Sequence, residues 1–246
     1  MKLIECLKVR YRARKYRKKD DRGGIEFICR VVKKGQTAFD IGAHKAGYLY
    51  HLREQVGQGG KVFAFEPQWS LYQYISKLKA LFQWDNVKVE HLALSDTKGT
   101  ASLHIPANTH SKGSSPGASI FKHNLHNETG FTETVGTDTL DAYCARENAK
   151  PDFLKIDVEG NELKVLQGGL EILKKYRPGI IVEIEARHVG QEQVLETFAF
   201  LTNLGYTGHF IKGINRIPLS EFSFELHQNL ADKANYCNNF TFEYAE

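Results

Sequence analysis

The sequence predicts a doubly wound α/β fold with a parallel core sheet, and three stretches predict it. Thr37-Ala38-Phe39-Asp40-Ile41-Gly42-Ala43-His44-Lys45-Ala46-Gly47 reads as a short apolar strand with an acid near its end, a glycine turn and a helix start. Lys61-Val62-Phe63-Ala64-Phe65-Glu66-Pro67 is a second apolar strand ending in an acid, and Phe153-Leu154-Lys155-Ile156-Asp157 is another. In such sheets a nucleoside ligand sits beyond the carboxyl ends of the strands. Gly42 lets the backbone turn tightly toward that ligand, Gly47 lets the first helix lie close, and Glu66 is placed to accept hydrogen bonds from ribose hydroxyls.

Two nucleoside cofactors compete for this pocket. A dinucleotide needs bare amides at a helix N-terminus for its pyrophosphate, usually as G-x-G-x-x-G. Here Asp40 stands just before Gly42, and Ala43-His44 occupies the place of the second glycine. A carboxylate there repels pyrophosphate and suits a cation. S-adenosylmethionine, with its ammonium and sulfonium groups, is the better fit.

The remaining elements follow in order. Residues 44–56 read as a helix stopped by Gly57-Gln58-Gly59-Gly60, and 61–66 as the second strand. Leu71, Tyr74, Ile75, Leu78, Leu81 and Phe82 recur with helical period. Residues 87–91 form the third strand, leading into Leu92-Ala93-Leu94-Ser95-Asp96, and 101–105 an extra strand closed by Pro106. Residues 107–131 read as a long loop, expected to act as a substrate lid. Extended structure resumes at 132–135, and Thr137-Asp138-Thr139-Leu140 caps a helix to about residue 148. After the strand at 153–157, a helix is expected from the Glu159-Gly160-Asn161-Glu162 turn to residue 175. A strand at 180–185, a helix at 191–204 and two terminal strands at 206–211 and 240–244 complete a five-strand parallel core with an antiparallel ending.

With 246 residues, the chain can hold one full α/β core. No apolar run approaches the ~20 residues that span a bilayer, and the start is too short in apolar core for a secretory signal. Cys6, Cys29, Cys144 and Cys237 lie scattered, without zinc-site spacing. A cytoplasmic protein is expected. The net charge of +4 hides an asymmetry: residues 1–24 hold ten Lys/Arg against Glu5, Asp20 and Asp21, whereas the rest holds 23 basic and 26 acidic residues. The expected division is therefore a basic N-terminal arm, 1–24, and a catalytic domain, 25–246. The acidic balance of the domain argues against a nucleic-acid surface. Leu3, Leu7 and Tyr11 recur at four-residue spacing, so the arm reads as a basic amphipathic helix. It is expected either to touch anionic surfaces or to pack that stripe on the body, and to be dispensable for fold and cofactor affinity.

Asp157 ends the strand that neighbours the first one across the switch point, so it faces the same crevice as Asp40. It is expected to position the sulfonium end, an acceptor hydroxyl or a divalent ion. Glu159 lies in the first turn of a helix, where the dipole favours an acid with or without a catalytic role. Methyl transfer to a hydroxyl needs alignment and proton removal, and His is the side chain matched to neutral pH. His44 in the glycine turn and His188 beyond the strand at 180–185 are the candidates at the ligand edge; His110, His123 and His126 lie in the expected lid. No ligand spacing compels a metal.

With Phe39-Asp40-Ile41-Gly42-Ala43-His44-x-x-Gly47, Val62-Phe63-Ala64-Phe65-Glu66-Pro67 and Leu154-Lys155-Ile156-Asp157-Val158-Glu159-Gly160-Asn161-Glu162 in view, the chain resembles the FkbM family of S-adenosylmethionine-dependent methyltransferases over roughly residues 22–190. The resemblance implies a class I fold: a mostly parallel seven-stranded sheet with helices on both faces and a reversed last strand. It also implies O-methylation of a hydroxyl on a sugar, glycan or small natural product. Carried over by position, Asp40, Gly42, Ala43 and Gly47 hold the methionine part of the cofactor, Glu66 the ribose, and Ala93, Leu94, Ser95 and Asp96 the adenine rim. Methylation of RNA or protein side chains is the alternative; the Asn/Asp-Pro-Pro-aromatic tetrad of amine methylation is missing at Asp157-Val158-Glu159-Gly160. A non-catalytic cofactor-binding regulator is a further alternative.

Overall fold

Strands buried on both faces read as continuous apolar runs, and the centre of the sheet is built from such runs. In a computed structural model that describes residues 2–106, 117–120 and 130–244, with side chains from residue 4 onward, they are β1 (Thr37–Ile41), β2 (Lys61–Phe65), β3 (Val87–Glu90), β7 (Phe153–Ile156) and β8 (Gly179–Glu183). They pair in parallel in the order β3-β2-β1-β7-β8. The chain reverses its direction of travel between β1 and β7, so the crevice beyond Ile41 and Ile156 is the switch point of the sheet.

Beyond β8 the sheet continues with β11 (Asn239–Tyr244), β9 (Tyr206–Lys212) and β10 (Asn215–Pro218). β11 runs antiparallel to both its neighbours, as a reversed last strand should. The sheet has eight strands rather than seven, because Gly213, at φ 64°, folds the chain back so that Asn215 pairs with Lys212. A second sheet, β4 (Ala93–Leu94), β6 (Gly130–Asp138) and β5 (Gly99–Pro106), was legible only as isolated extended pieces. Its β5–β6 hairpin pairs from Gly99↔Thr137 to Pro106↔Gly130. The expected lid falls mostly outside the described residues, as do His110, His123 and His126; of its middle, Gly117–Ile120 is described, and Ser119 bridges to His104.

Alternation along the central strands divides the core. Ala38, Val62 and Ala64 face α1 (Lys2–Lys15), α2 (Arg22–Val31), α3 (Gly47–Val56) and α4 (Trp69–Phe82). Phe39, Phe63, Phe65, Leu154 and Ile156 face α5 (Leu140–Glu147), α6 (Glu162–Gln167), α7 (Leu170–Tyr176) and α8 (Ala186–Asn203). Within the expected capping stretch 137–140, Thr139 is the residue that caps α5, its hydroxyl accepting from the Ala142 amide. Three helix boundaries differ from expectation. α3 starts at Gly47 because His44 and Ala46 both take left-handed backbone. The expected single helix up to residue 175 splits into α6 and α7 at Gly168, where a Cβ would lie 2.1 Å from the Ser95 carbonyl oxygen. α8 carries an extra turn from Ala186 that Gly190, at φ 81° and ψ 159°, breaks just before the helix expected at 191–204.

The N-terminal segment packs as part of the body. Val9 of α1 is buried in the same core cluster as Leu49 and Leu52, and Ala13 is buried too, whereas Leu7 and Tyr11 of the expected inward stripe are 56% and 71% exposed. The helix turns its smaller apolar residues inward, which lets it lie against α3. His51 Nε2 bonds the Ala13 carbonyl oxygen at 2.9 Å, and Arg12 donates to the Lys45 carbonyl oxygen at 2.9 Å. A π-helical turn, Tyr16–Asp20, then joins α1 to α2. Removing residues 1–21 is therefore expected to lower stability by about 2–3 kcal/mol through lost burial and hydrogen bonds. Denaturant unfolding of the truncated chain measures this, and an unchanged midpoint would show the segment to be dispensable.

Candidate functional site

Gly42 sits at φ 82°, and a Cβ there would lie 1.8 Å from the Asp157 carbonyl oxygen. The glycine is thus demanded by the end of β7, not only by a ligand. The turn beyond it is fixed by three amides: Gly42 and Ala43 donate to the Phe65 carbonyl oxygen at 3.0 Å each, and His44 donates to Glu66 Oε2 at 2.7 Å. At Gly47 a Cβ would meet the Tyr16 ring at 2.9–3.1 Å, so this glycine makes room for the π-turn rather than for a helix. Tyr16 packs edge-on to Tyr48, whose hydroxyl bonds the Asp21 carboxylate.

Two adjoining cavities open at this edge. One, of about 250 Å3, is lined by Gly42, His44, Glu66, Ala93, Leu94, Asp157 and Glu159, among others. The other, of about 200 Å3, shares Tyr16, Gly42, His44, Asp157 and Glu183 with it and adds Ala43, Gly47, Lys155, Asn238 and Asn239. Ala118 and Ile120 from the short described piece of the expected lid wall the first cavity, and the Ser119 hydroxyl donates to the Glu159 carbonyl oxygen at 2.6 Å.

Asp40 does not reach either cavity. It is fully buried behind the turn, with Oδ1 3.4 Å from Lys155 Nζ, and burial pushes its carboxyl up to about 6 against the pull of that ammonium. Lys155 also lies 3.3 Å from Asp157 Oδ2 and donates to the Gly42 carbonyl oxygen at 2.6 Å. Burial draws its ammonium down, but the Asp157 and Asp40 carboxylates outweigh that and hold it above the ordinary lysine value. One buried lysine therefore ties the acids of two neighbouring strands to the glycine turn. Sequence reasoning missed it, although a lysine inside the apolar run Phe153-Leu154-Lys155-Ile156 was its signal.

Glu66 is buried at the wall of the first cavity. Its Oε1 accepts from the Gln68 amide at 2.9 Å, and burial raises its carboxyl to about 7 despite that bond and the one from His44. Ala93 and Leu94 form β4, and the Leu94 carbonyl oxygen accepts from Asn161 Nδ2 at 3.1 Å. Ser95 and Asp96 line neither cavity: Ser95 is buried and donates through its hydroxyl to Asp96 Oδ1, while Asp96 is exposed.

Residues after β7 and β8 meet at the mouth. Glu159, at φ 53°, and His188 were singled out separately, and the structure places His188 Nδ1 3.3 Å from Glu159 Oε2. His188 lines neither cavity; Glu159 lines the first. Burial, with Asp157, Glu162 and Glu185 nearby, raises the Glu159 carboxyl to about 8, and burial likewise lifts Glu183 well above the usual range. Glu162 holds the loop in shape, accepting at Oε1 from the Val158 and Gly160 amides at 3.1 and 3.0 Å. His44 Nε2 is buried without a hydrogen-bond partner among the described residues. Burial, then Lys45 nearby, lowers its imidazole to about 4, so at neutral pH it is uncharged. No group of three metal-ligating side chains occurs among the described residues.

The chain matches the methyltransferase FkbM domain over residues 40–207. No curated protein matches it by sequence. Among solved structures, methyltransferase FkbM from Methylobacillus flagellatus is similar at 14% identity and a TM-score of 0.54, covering 89% of this chain and 50% of that one. This chain thus spans half the length of the Methylobacillus protein. An rRNA methylase from Streptococcus thermophilus is similar at 9% identity and a TM-score of 0.52, covering 91% of this chain and 95% of that one. At these identities the likeness to solved structures concerns the fold alone. The family match begins at Asp40, at the end of β1, and runs through the glycine turn, β2 with Glu66, β7 and the Glu159 loop, and on it the chain belongs to the FkbM family of S-adenosylmethionine-dependent methyltransferases.

Proposed function

We propose that the chain transfers the methyl group of S-adenosylmethionine to a hydroxyl of a sugar, glycan or small natural product. The observation that carries this reading is the second cavity, which continues the cofactor crevice and is walled by hydroxyl-binding groups: Tyr16, His44, Asp157, Glu183, Asn238 and Asn239. Such a wall offers many hydrogen-bond partners and little apolar surface, which suits a polyhydroxylated acceptor.

The residues present fit the cofactor. His44 Nε2 is a buried polar atom at the crevice with no hydrogen-bond partner among the described residues, and Glu66 accepts only two amide bonds there. Bound, the cofactor supplies an electrophilic methyl group on a sulfonium. In this reading Glu66 holds the ribose, Ala93 and Leu94 border the adenine, and Gly42, Ala43 and Gly47 shape the turn around the methionine part. Asp40 acts from behind, through Lys155, by holding Asp157 and the turn. Ser95 and Asp96 support the adenine rim without lining it. Asp157 and His44, which line both cavities, orient the acceptor hydroxyl where the two adjoin, and Glu159, in the wall of the first cavity and backed by His188, removes its proton from that side. A carboxyl raised to about 8 is a stronger base than an imidazole lowered to about 4, and lies closer to the working pH. This replaces a histidine base titrating near its ordinary value.

Glu66→Ala is expected to weaken cofactor binding by about 1.5–3 kcal/mol, the range for hydrogen bonds to a charged group. Calorimetry measures it, and an unchanged dissociation constant in a folded variant would leave Glu66 a structural residue. The acceptor class is tested with methyl-labelled cofactor and fractionated cell extract. Label is expected in glycan or small-molecule fractions; label confined to RNA or protein overturns the hydroxyl-acceptor reading. No helix among the described residues is long and apolar enough to cross a membrane.

A further inference from the structure

The outward face of α1 is a surface feature that the cofactor crevice does not use. Ile4, Leu7 and Tyr11 are 58%, 56% and 71% exposed, and their spacing of three and four residues stacks them along one face of the helix. Val9 and Ala13, on the opposite face, anchor the helix in the core, so the exposed row is held rigidly outward. At 100° per residue, Lys8 and Lys15 flank the row on one side and Arg10 and Arg14 on the other. All four are exposed. Lys15 pairs with Asp20 at 2.9 Å, but Lys8, Arg10, Arg14, Arg17, Lys18 and Arg22 form no ion pair among the described residues. Two surface grooves beside the helix repeat this chemistry, one lined by Arg14, Arg17, Lys18 and Arg22 with Glu26, the other by Arg10, Arg14 and Arg17 with His51 and Glu54.

We propose that this face of α1 is a docking site for an anionic membrane surface. An apolar ridge between two basic flanks is what a helix needs to lie in the plane of a bilayer: the ridge enters the boundary between headgroups and acyl chains while the cations meet lipid phosphates. The grooves lined by arginine then take headgroup phosphates by paired N–H donors. A nucleic-acid backbone would engage the same cations but leave Ile4 and Leu7 in water, so the ridge selects the membrane. The proposal stands independently of the methyl acceptor.

Co-sedimentation of the full chain with vesicles tests it. The chain is expected to partition onto phosphatidylcholine vesicles containing phosphatidylglycerol, not onto phosphatidylcholine alone, and to be released as salt is raised from about 0.05 to about 0.5 M. Replacing Ile4, Leu7 and Tyr11 together by Ser keeps the charge and is expected to reduce partition about tenfold or more. Arg10→Gln with Arg14→Gln should reduce it about fivefold for each charge removed. Thermal melts and cofactor binding of these surface variants should match the parent chain. Absence of partition onto the anionic vesicles overturns the proposal. So does a serine triple variant that partitions like the parent, or tighter binding of a single-stranded RNA that the triple variant retains.

Discussion

Lys155→Met should destabilise the protein by about 3–5 kcal/mol, the cost of breaking a buried ion pair by removing one partner. The reason is geometric. Lys155 is 5% exposed and lies within 3.4 Å of two carboxylates, while Asp40 is fully buried and, among the described residues, pairs with no other cation. Methionine fills similar volume but supplies no cation, so Asp40 must take up a proton or remain a buried anion. Its carboxyl, at about 6 in the native chain, would rise further. A group whose folded value lies above its unfolded value contributes stability at low pH that is lost as pH rises through the folded value. The loss in the variant should therefore be larger at pH 8 than at pH 5. Denaturant unfolding at the two values measures both effects. A variant as stable as the parent at pH 8 would mean that Asp40 is neutral throughout and that Lys155 serves Asp157 and the turn alone. Cofactor affinity should fall with stability, because the same ammonium holds the Gly42 carbonyl.

Glu159→Gln should lower turnover by roughly 10²–10⁴-fold, the range for loss of a general base. The amide keeps the size and the contact with the loop but cannot accept the acceptor's proton. In the parent chain the carboxyl must be ionised to act, so turnover should rise with pH through about 8, and this rise should vanish in the variant. His188→Ala removes the imidazole 3.3 Å away and should shift the profile while leaving a measurable rate. If His44 were the base, the profile would be flat above pH 6, because its imidazole loses its proton near 4. A flat profile, together with near-parental turnover in Glu159→Gln, would transfer the role to His44.

Much of this protein was open to reading in one dimension. The two acid-ended strands, the glycine turn and the loop after β7 declare the parallel sheet and its ligand edge, because apolar runs of strand length and glycines at turns are local properties. The capping stretch 137–140 before α5 was readable for the same reason, and the structure picks out Thr139 within it. The reversed β11 was already expected from the two terminal strands and from the family resemblance.

Other features depended on distance in space. Nothing in the spacing shows that Lys155 lies against Asp40, because the pairing requires β1 and β7 to be neighbours and both side chains to face the same layer. The contact of Glu159 with His188 joins the loop after β7 to the first turn of α8, and the Tyr16 wall brings the N-terminal segment to the turn at Gly47. The phase of α1 was misread for the same reason. A helix of mixed composition offers two apolar stripes, and the flank of α3 accepts the one with the smaller side chains. Strand-length apolar runs, turn glycines and local motifs were enough to read the parallel core, its ligand edge and the family. Tertiary packing alone decided which carboxylates are buried, which are paired and which remain at the crevice, because those properties depend on the dielectric and the neighbours that only the folded chain supplies.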